Sequence, residues 1–448
     1  MEIEEKTSGK SSFMSSTSVQ LGLIVLLVLF LIIPLEYVKY LTYERQEREK
    51  EVMQEMAEKW GGEVVVYGPI LNIPYKKYVK SKRKNEEGNY ETVTTTETHQ
   101  AYFLPNQLKM HSKVKATNKN RGIYEAVVFK SDLNFSGDFE VPDFASMKIN
   151  TEDVLWSEAK LIVKTSSLKS IRDEMKIKLE NKNYTFEPIY DGGRSRLKLL
   201  QSKKVNLTEV MKKQKKLDFK MNLSYNGSQS LQMLPIGKTS TFSMESNWKD
   251  PSFSGEYLPM DKSVSEKGFM ANWKILDFNR PFPQSFLGGL PNLEEYTFGV
   301  NFINTIDQYQ QNERSSKYGL LVIGLTFLTF FMIQVVNKLK IHIIEYTMIG
   351  AAMVLFYTLL LSITEHLSFS TAYLISASAV IILVSLYSYS LLKQKKLLFF
   401  VAATMSLLYA YIYVIIQMEN YALLSGSVGL FIILSIIMYF SRKIDWQK

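Results

Sequence analysis

The 448-residue chain has no cysteine and only four histidines. Without thiols there is no disulfide framework, no thiolate nucleophile and no cysteine-held zinc or iron–sulfur site. Imidazole chemistry rests on His99, His111, His342 and His366 alone. Catalytic and nucleotide signatures are missing too: there is no HExxH, GxSxG, Walker A loop or GxGxxG, so the chain is read as non-enzymatic, with no cofactor and no metal. Charge is the third shortage, and it is local. Residues 318–448 hold 12 charged side chains in 131 positions, and residues 1–317 hold the other 85. The last third is too apolar for a water-soluble domain, which makes this a membrane protein carrying a large polar domain.

Lipid offers the backbone no hydrogen-bond partner, so a span needs about 20 largely apolar helical residues. Six stretches meet this: Val19–Val38, Tyr318–Val336, Tyr346–Ile363, Ala372–Leu392, Leu397–Gln417 and Tyr421–Phe440. No small-residue cleavage site follows Ile33, and a charged helical pattern continues through Tyr37, Leu41, Arg45 and Arg48. The first stretch is therefore an uncleaved anchor, with a kink expected at Pro34. Lysine and arginine in short loops mark the cytoplasmic side. Lys338, Lys340, Lys393, Lys395, Lys396, Arg442, Lys443 and Lys448 fall on the face of both termini, and the opposite loops carry only Glu365 and Glu419. The expected order is a cytoplasmic tail (1–18), an anchor (19–38), an extracytoplasmic domain (39–317), a five-helix bundle (318–440) and a cytoplasmic tail (441–448). Arg314 and Lys317 run against this count, but long domains translocate largely regardless of charge.

Glu36–Trp60 is helical in pattern and reads as a charged stalk. After Gly61, short runs rich in Val, Ile, Thr, Tyr and Phe alternate with Gly, Pro and Asn, which predicts a β-rich domain. The clearest strand is Leu217, Phe219, Met221, Leu223 and Tyr225, apolar at every second position. Asn226-Gly227 is read as a turn. A three-residue loop of Tyr225, Asn226 and Gly227, with Gly227 left-handed, keeps the apolar sets on one face and pairs Met221 with Leu231 and Phe219 with Met233. Two basic clusters, Lys76–Lys84 and Lys203–Lys220 (with Lys212, Lys213, Lys215 and Lys216), sit in a domain of net charge +7. Outside the cytoplasm they exclude nucleic acid as a partner and leave solvated loops, or contact with anionic lipid head groups or glycans. Asn-x-Ser/Thr sites such as Asn183 and Asn222 occur at a chance rate.

Several motifs follow one another along almost the whole chain. They are Arg45-x-x-Arg48, Trp60-Gly61, Gly68-Pro69, Ile73-Pro74-Tyr75, Arg121-Gly122-Ile123-Tyr124 and Ser246-Asn247-Trp248-x-x-Pro251-Ser252-Phe253-x-Gly255-x-x-Leu258-Pro259. Gly268-Phe269-x-Ala271-x-Trp273, Asp307-Gln308-Tyr309, Arg314-x-x-Lys317-Tyr318, Leu325-Thr326-Phe327, Phe356-Tyr357-x-Leu359-Leu360-Leu361-Ser362, Glu365-His366 and Ile444-Asp445-Trp446 complete the series. In these the chain resembles the CreD family of bacterial inner-membrane proteins associated with cell-envelope integrity. It departs from the family's His-Pro and Gln-Tyr at His342-Ile343 and Glu345-Tyr346. The resemblance implies an inner membrane, an envelope-stress setting and, in relatives, links to a two-component regulator and colicin tolerance. It implies no reaction.

The strongest constellation is Glu365-His366 at the outer end of span three, facing Arg314 and Lys317 at the outer start of span two. Antiparallel neighbours joined by a short loop bring these ends together, as a charge network, a proton or ligand site, or simple interfacial anchoring. His342 is read as an interfacial residue beside Lys340; two histidines on opposite faces cannot share a metal. Tyr373, Tyr387, Tyr409, Tyr411 and Tyr413 fit aromatic belts, and Ser376–Ala379 with Ser425, Gly426 and Gly429 fit close helix packing. Nothing marks a midplane substrate path. The leading expectation is an envelope scaffold or binding protein whose partners are the bilayer and envelope proteins, anionic lipids or glycans. A transporter or lipid-handling protein with a polar cavity at Glu365, His366 and Arg314 comes second, and a hydrolase around His99 or His111 third.

Overall fold

A computed structural model describes residues 17–84, 90–190, 196–302, 308–418 and 421–441. Both tails, Asp307, Glu419 and the Ile444-Asp445-Trp446 motif lie outside these residues. The chain divides into two compact units, Met1–Lys50 with Ile306–Lys448, and Glu51–Thr305. Residues 39–50 and 306–317, expected with the polar domain, thus belong to the apolar unit.

In the apolar unit the anchor is α1 (Thr17–Phe30) followed by α2 (Ile32–Trp60). The break falls at Leu31, one turn before Pro34. Proline has no N–H, so the carbonyl four residues earlier loses its helical partner and the ladder opens there. A short helix in the other unit, α3 (Thr208–Lys212), precedes α4 (Gln308–Lys317), α5 (Gly319–Val336), α6 (Ile343–Thr364), α7 (Phe369–Leu392), α8 (Lys395–Gln417) and α9 (Ala422–Ser441). The anchor helix, α5, α6, α7 and α8 are long and apolar enough to cross a membrane. The sixth expected span is the helix Ala422–Ser441, 20 residues without a charged side chain. Phe327, Phe330, Met353, Phe356 and Tyr409 are central in one apolar cluster that draws on α1, α2 and α5–α8.

The second unit is β-rich. Its strands are β1 (Val64–Lys84), β2 (Tyr90–Phe103), β3 (Gln107–Arg121), β4 (Tyr124–Phe139), β5 (Lys160–Thr165), β6 (Lys176–Leu179), β7 (Lys182–Ile189) and β8 (Lys198–Ser202). They continue as β9 (Leu217–Ser228), β10 (Ser230–Met233), β11 (Thr239–Ser246), β12 (Pro251–Gly255), β13 (Asp261–Ser265), β14 (Gly268–Leu276), β15 (Ser285–Leu287) and β16 (Phe298–Phe302). One hydrogen-bonded path runs β12-β16-β10-β1-β5-β8-β7-β6-β9-β4-β3-β11-β14-β13, with β2 on β1 and β15 on β2. Distant parts of that path meet in one core. Phe242 of β11 packs edge-on against Phe298 of β16 at 5.0 Å between centroids, and Trp273 of β14 lies 5.5 Å from the same ring. The Trp273 indole N–H donates to the Tyr257 carbonyl at 3.2 Å, which removes the penalty of burying it.

The family-like motifs in this unit hold the fold. Gly255 (φ 94) and Gly268 (φ 128) occupy left-handed backbone where a side chain would meet neighbouring main chain. Asn247 accepts from the Ala116 N–H at 2.8 Å and donates to its carbonyl at 2.9 Å, extending the pairing of β3 as a strand would. The end of α2 docks through Trp60, whose indole N–H donates to the Phe129 carbonyl at 3.4 Å, and through Glu55, 2.5 Å from Arg121. Lys59 and Arg121 together hold the Glu55 carboxyl down at about 2. Arg280 is buried without a carboxylate partner: it donates to the Phe282 carbonyl at 2.6 Å and to the Gln284 side chain, and burial pushes it down to about 10.

The alternation of the strand from Leu217 is as expected, every second residue being buried. The hairpin after it is not. β9 runs straight through Asn226 and Gly227 to Ser228, pairing with β4 and β6, and β10 leaves it to pair with β1 and β16. Met221 sits opposite Phe135 and Ile177 rather than Leu231, and Phe219 opposite Gly137 and Leu179 rather than Met233. The left-handed residue is Gln229 (φ 64), not Gly227. Gly227 is required for a different reason: a Cβ there would lie 2.3 Å from the Phe129 ring and 2.7 Å from a Val64 methyl. Gly227→Val is expected to destabilise the protein by about 1–3 kcal/mol through overpacking. Gly289→Ala, which meets nothing within 4 Å, is expected to be near neutral. Thermal unfolding of the full chain in detergent checks the pair; equal melting temperatures would refute this packing.

Candidate functional site

The four residues expected to meet are placed as follows. Glu365, mostly buried, receives the Arg45 Nε at 3.3 Å, so its partner comes from the stalk-like extension of the anchor. Lys317 pairs with Glu313 one turn earlier at 2.9 Å, Arg314 is partly buried on the same helix, and His366 is exposed. No ion pair joins any two of the four among the described residues. Nor do three or more His, Asp or Glu side chains converge as a metal would require among those residues.

Beside Glu365 lies a polar contact that the sequence reading missed. α4 packs on α6 and α8 with Asn312, Ser315 and Ser316 buried. The Asn312 amide donates to the Thr364 hydroxyl at 2.8 Å, and Thr364 donates to the Leu361 carbonyl at 2.8 Å. Its signal was the i, i+3, i+4 spacing of the small polar residues Asn312, Ser315 and Ser316, which places them on one helical face. At the opposite end of the bundle, Gln334 donates to Gln20 at 2.6 Å and accepts from the Tyr346 hydroxyl at 3.1 Å. Glu345 accepts from the His342 N–H at 2.8 Å, capping α6. The tyrosine belt needs correction. Tyr373 and Tyr409 are buried in the bundle among other aromatic rings, the Tyr373 hydroxyl donating to the Tyr409 carbonyl at 2.8 Å, a tertiary contact that the sequence pattern does not reveal. Gly429 does pack closely, against Tyr411, whereas Gly426 has open space.

The two basic clusters behave differently. Lys212, Lys215 and Lys216 meet Glu209 (3.1 Å), Glu180 (2.9 Å) and both Asp138 and Glu140 (3.8 Å), and Lys204 meets Glu158. That cluster is neutralised locally. The first cluster lies on a projecting two-stranded arm, in which β1 and β2 pair from Lys76–Thr98 outward with no third strand alongside. Residues 91–98 and most of 76–83 are exposed, so the arm has no core to bury and packing does not dictate its composition.

Cross-strand partners share a face. One face of the arm carries Lys76, Tyr78, Lys80 and Lys82 opposite Thr98, Thr96, Thr94 and Thr92. The other sets Lys77 opposite Glu97 and Arg83 opposite Glu91. Among the described residues, carboxylates therefore stand opposite the cations on one face of the arm and threonines on the other. Among the described residues, the one carboxylate bonded to a side chain of the lysine–threonine face is Asp153, which accepts from the Tyr78 hydroxyl at 3.0 Å and raises its pKa. That bond ties the base of the arm to the turn of 3-10 helix at Thr151–Asp153.

Apolar helices long enough to span a bilayer, joined in one chain to a large β-rich unit, define a polytopic membrane protein. The family model for the inner membrane protein CreD matches residues 16–447, and the chain belongs to the CreD family. It is 27% identical to the inner membrane protein CreD of Escherichia coli (strain K12) over 426 residues, covering 94% of this chain and 91% of that protein.

The geometry ranks the polar contacts at the α6 end. Asn312→Ala removes a buried partner and is expected to destabilise by about 1–3 kcal/mol, whereas Glu365→Gln breaks a pair whose arginine is half exposed, worth about 0–1 kcal/mol. Thermal unfolding of both variants checks the order; a larger loss for Glu365→Gln would show that its pair with Arg45 is the stronger tie.

Proposed function

We propose that the protein is a non-enzymatic scaffold of the cell envelope, anchored in the inner membrane with both termini cytoplasmic and its β-rich domain on the extracytoplasmic side. Family membership supports the inner membrane, and the eight basic residues on one set of short loops and the C-terminal tail support the orientation. The observation that carries the scaffold reading is the one-sided arm. A lysine–threonine face with no core beneath it offers cations and hydroxyls in a flat row, the chemistry that recognises an anionic glycan bearing carboxylates or phosphates. The absence of a catalytic motif agrees with a binding role. The contact is long-range and electrostatic, so it weakens with salt.

The test compares the two faces. Lys76→Gln, Lys80→Gln and Lys82→Gln together are expected to abolish survival under envelope stress while membrane abundance stays normal. Lys77→Gln with Arg83→Gln, on the balanced face, is expected to leave survival intact. Equal survival of both variants would remove the arm from the function. The sequence-level candidates enter the same assay: loss of survival in Glu365→Gln or His366→Ala, at normal abundance, would shift the working site to the bundle and favour a lipid-handling reading.

A further inference from the structure

The last helix meets the bundle around Ser425 and Gly429. Among the described residues, α9 meets α8 where the Tyr411 hydroxyl donates to the Ser425 carbonyl at 2.5 Å, and where Gly429 approaches the same ring so closely that a Cβ would overlap it. Beyond this attachment, α5, α8 and α9 enclose a groove of about 730 Å3. Its walls are apolar, with Leu328, Met332, Phe400, Leu407, Ile432 and Ile436 among them, and it ends at Asn337 and Leu397. From Leu397 to Tyr411 it follows α8 for roughly 21 Å at the helical rise, more than half of the roughly 30 Å hydrocarbon core.

A space of this size is not left empty in a packed protein, and walls that are almost wholly apolar do not hold water. Within a bilayer the occupant is hydrocarbon. The mouth of the groove decides which hydrocarbon. Asn337 is followed by Lys338 and Lys340, and Leu397 is preceded by Lys393, Lys395 and Lys396, all five lysines exposed. Among the described residues of the connections at this end, Glu345 is the sole carboxylate, and it is engaged with the His342 N–H. Among the described residues, the exposed charge flanking the mouth is therefore positive, a few residues from an apolar groove of leaflet length.

We propose that the groove between α5, α8 and α9 is a binding site for one anionic phospholipid, with acyl chains along α8 and the phosphate head group held by Lys338, Lys395 and Lys396. Basic pockets at helix ends draw anionic head groups in this way. The site stands apart from the arm and needs no assumption about the β-rich unit.

The experiment uses the full chain, delipidated in mild detergent and mixed with phosphatidylglycerol or phosphatidylcholine, with retained lipid counted by native mass spectrometry. One phosphatidylglycerol is expected to be retained with a preference of about tenfold or more over phosphatidylcholine. Lys338→Gln, Lys395→Gln and Lys396→Gln together are expected to erase that preference and leave the weak phosphatidylcholine binding unchanged; all three positions are exposed, so the fold tolerates the change. Thr404→Trp, which fills the groove, is expected to expel both lipids. Equal retention of the two lipids, a preference that survives the lysine changes, or a dimer that Thr404→Trp converts to monomer would each overturn the proposal, the last by assigning the groove to a second copy of the chain.

Discussion

Lipid cannot hydrogen-bond to a peptide group, and everything in the apolar unit follows from that constraint. The backbone is satisfied by helices, and several polar side chains in the interior find partners on neighbouring helices. Gln334 finds Gln20 and Tyr346, Asn312 finds Thr364, and Tyr373 finds the Tyr409 carbonyl. These contacts cross between helices and fix which helices are neighbours, which apolar packing alone specifies weakly in a solvent as apolar as the side chains. The break at Leu31 obeys the same rule, since Pro34 withholds one donor from the anchor.

The β-rich unit answers to the opposite solvent. There the apolar faces themselves drive assembly, and polar side chains have water as an alternative partner. Arg280 is a buried case, its two terminal guanidinium nitrogens donating to carbonyls and to the Gln284 side chain. Glycines at Gly227, Gly255 and Gly268 mark where main chain or an aromatic ring passes too close for a side chain. They explain why the motif residues of this unit read as architecture, while the exposed arm, free of packing demands, shows a charge asymmetry that architecture does not require.

Much of the plan was legible along the chain because it rests on composition and local period. The apolar helices, the β-rich texture after Gly61, and the buried alternation from Leu217 to Tyr225 all have short-range signatures. The Asn226-Gly227 turn failed because a local turn signal cannot reveal that β9 is held on both sides by β4 and β6, or that Phe129 lies over Gly227. Glu365 was visible as a carboxylate at the end of a span, but its partner Arg45 is far away in the sequence and no periodicity connects them. The tyrosines were misplaced for the same reason. The lysine cluster at 76–84 was visible, yet its one-sidedness depended on register with the threonines of β2.

The two proposed contact surfaces share a physical form: among the described residues, a row or cluster of exposed lysines with few carboxylates beside it. They differ in solvent, one set on a bare ribbon and one at the mouth of an apolar groove. Under the proposed orientation the arm is extracytoplasmic and the mouth of the groove cytoplasmic. The natural absence of cysteine allows a direct measurement, in which Thr94→Cys on the arm and Lys396→Cys at the α8 end are exposed separately to a membrane-impermeant maleimide. Spheroplasts carrying Thr94→Cys are predicted to label while intact, and those carrying Lys396→Cys only after lysis. Labelling of both before lysis, or the reverse order, would contradict the account.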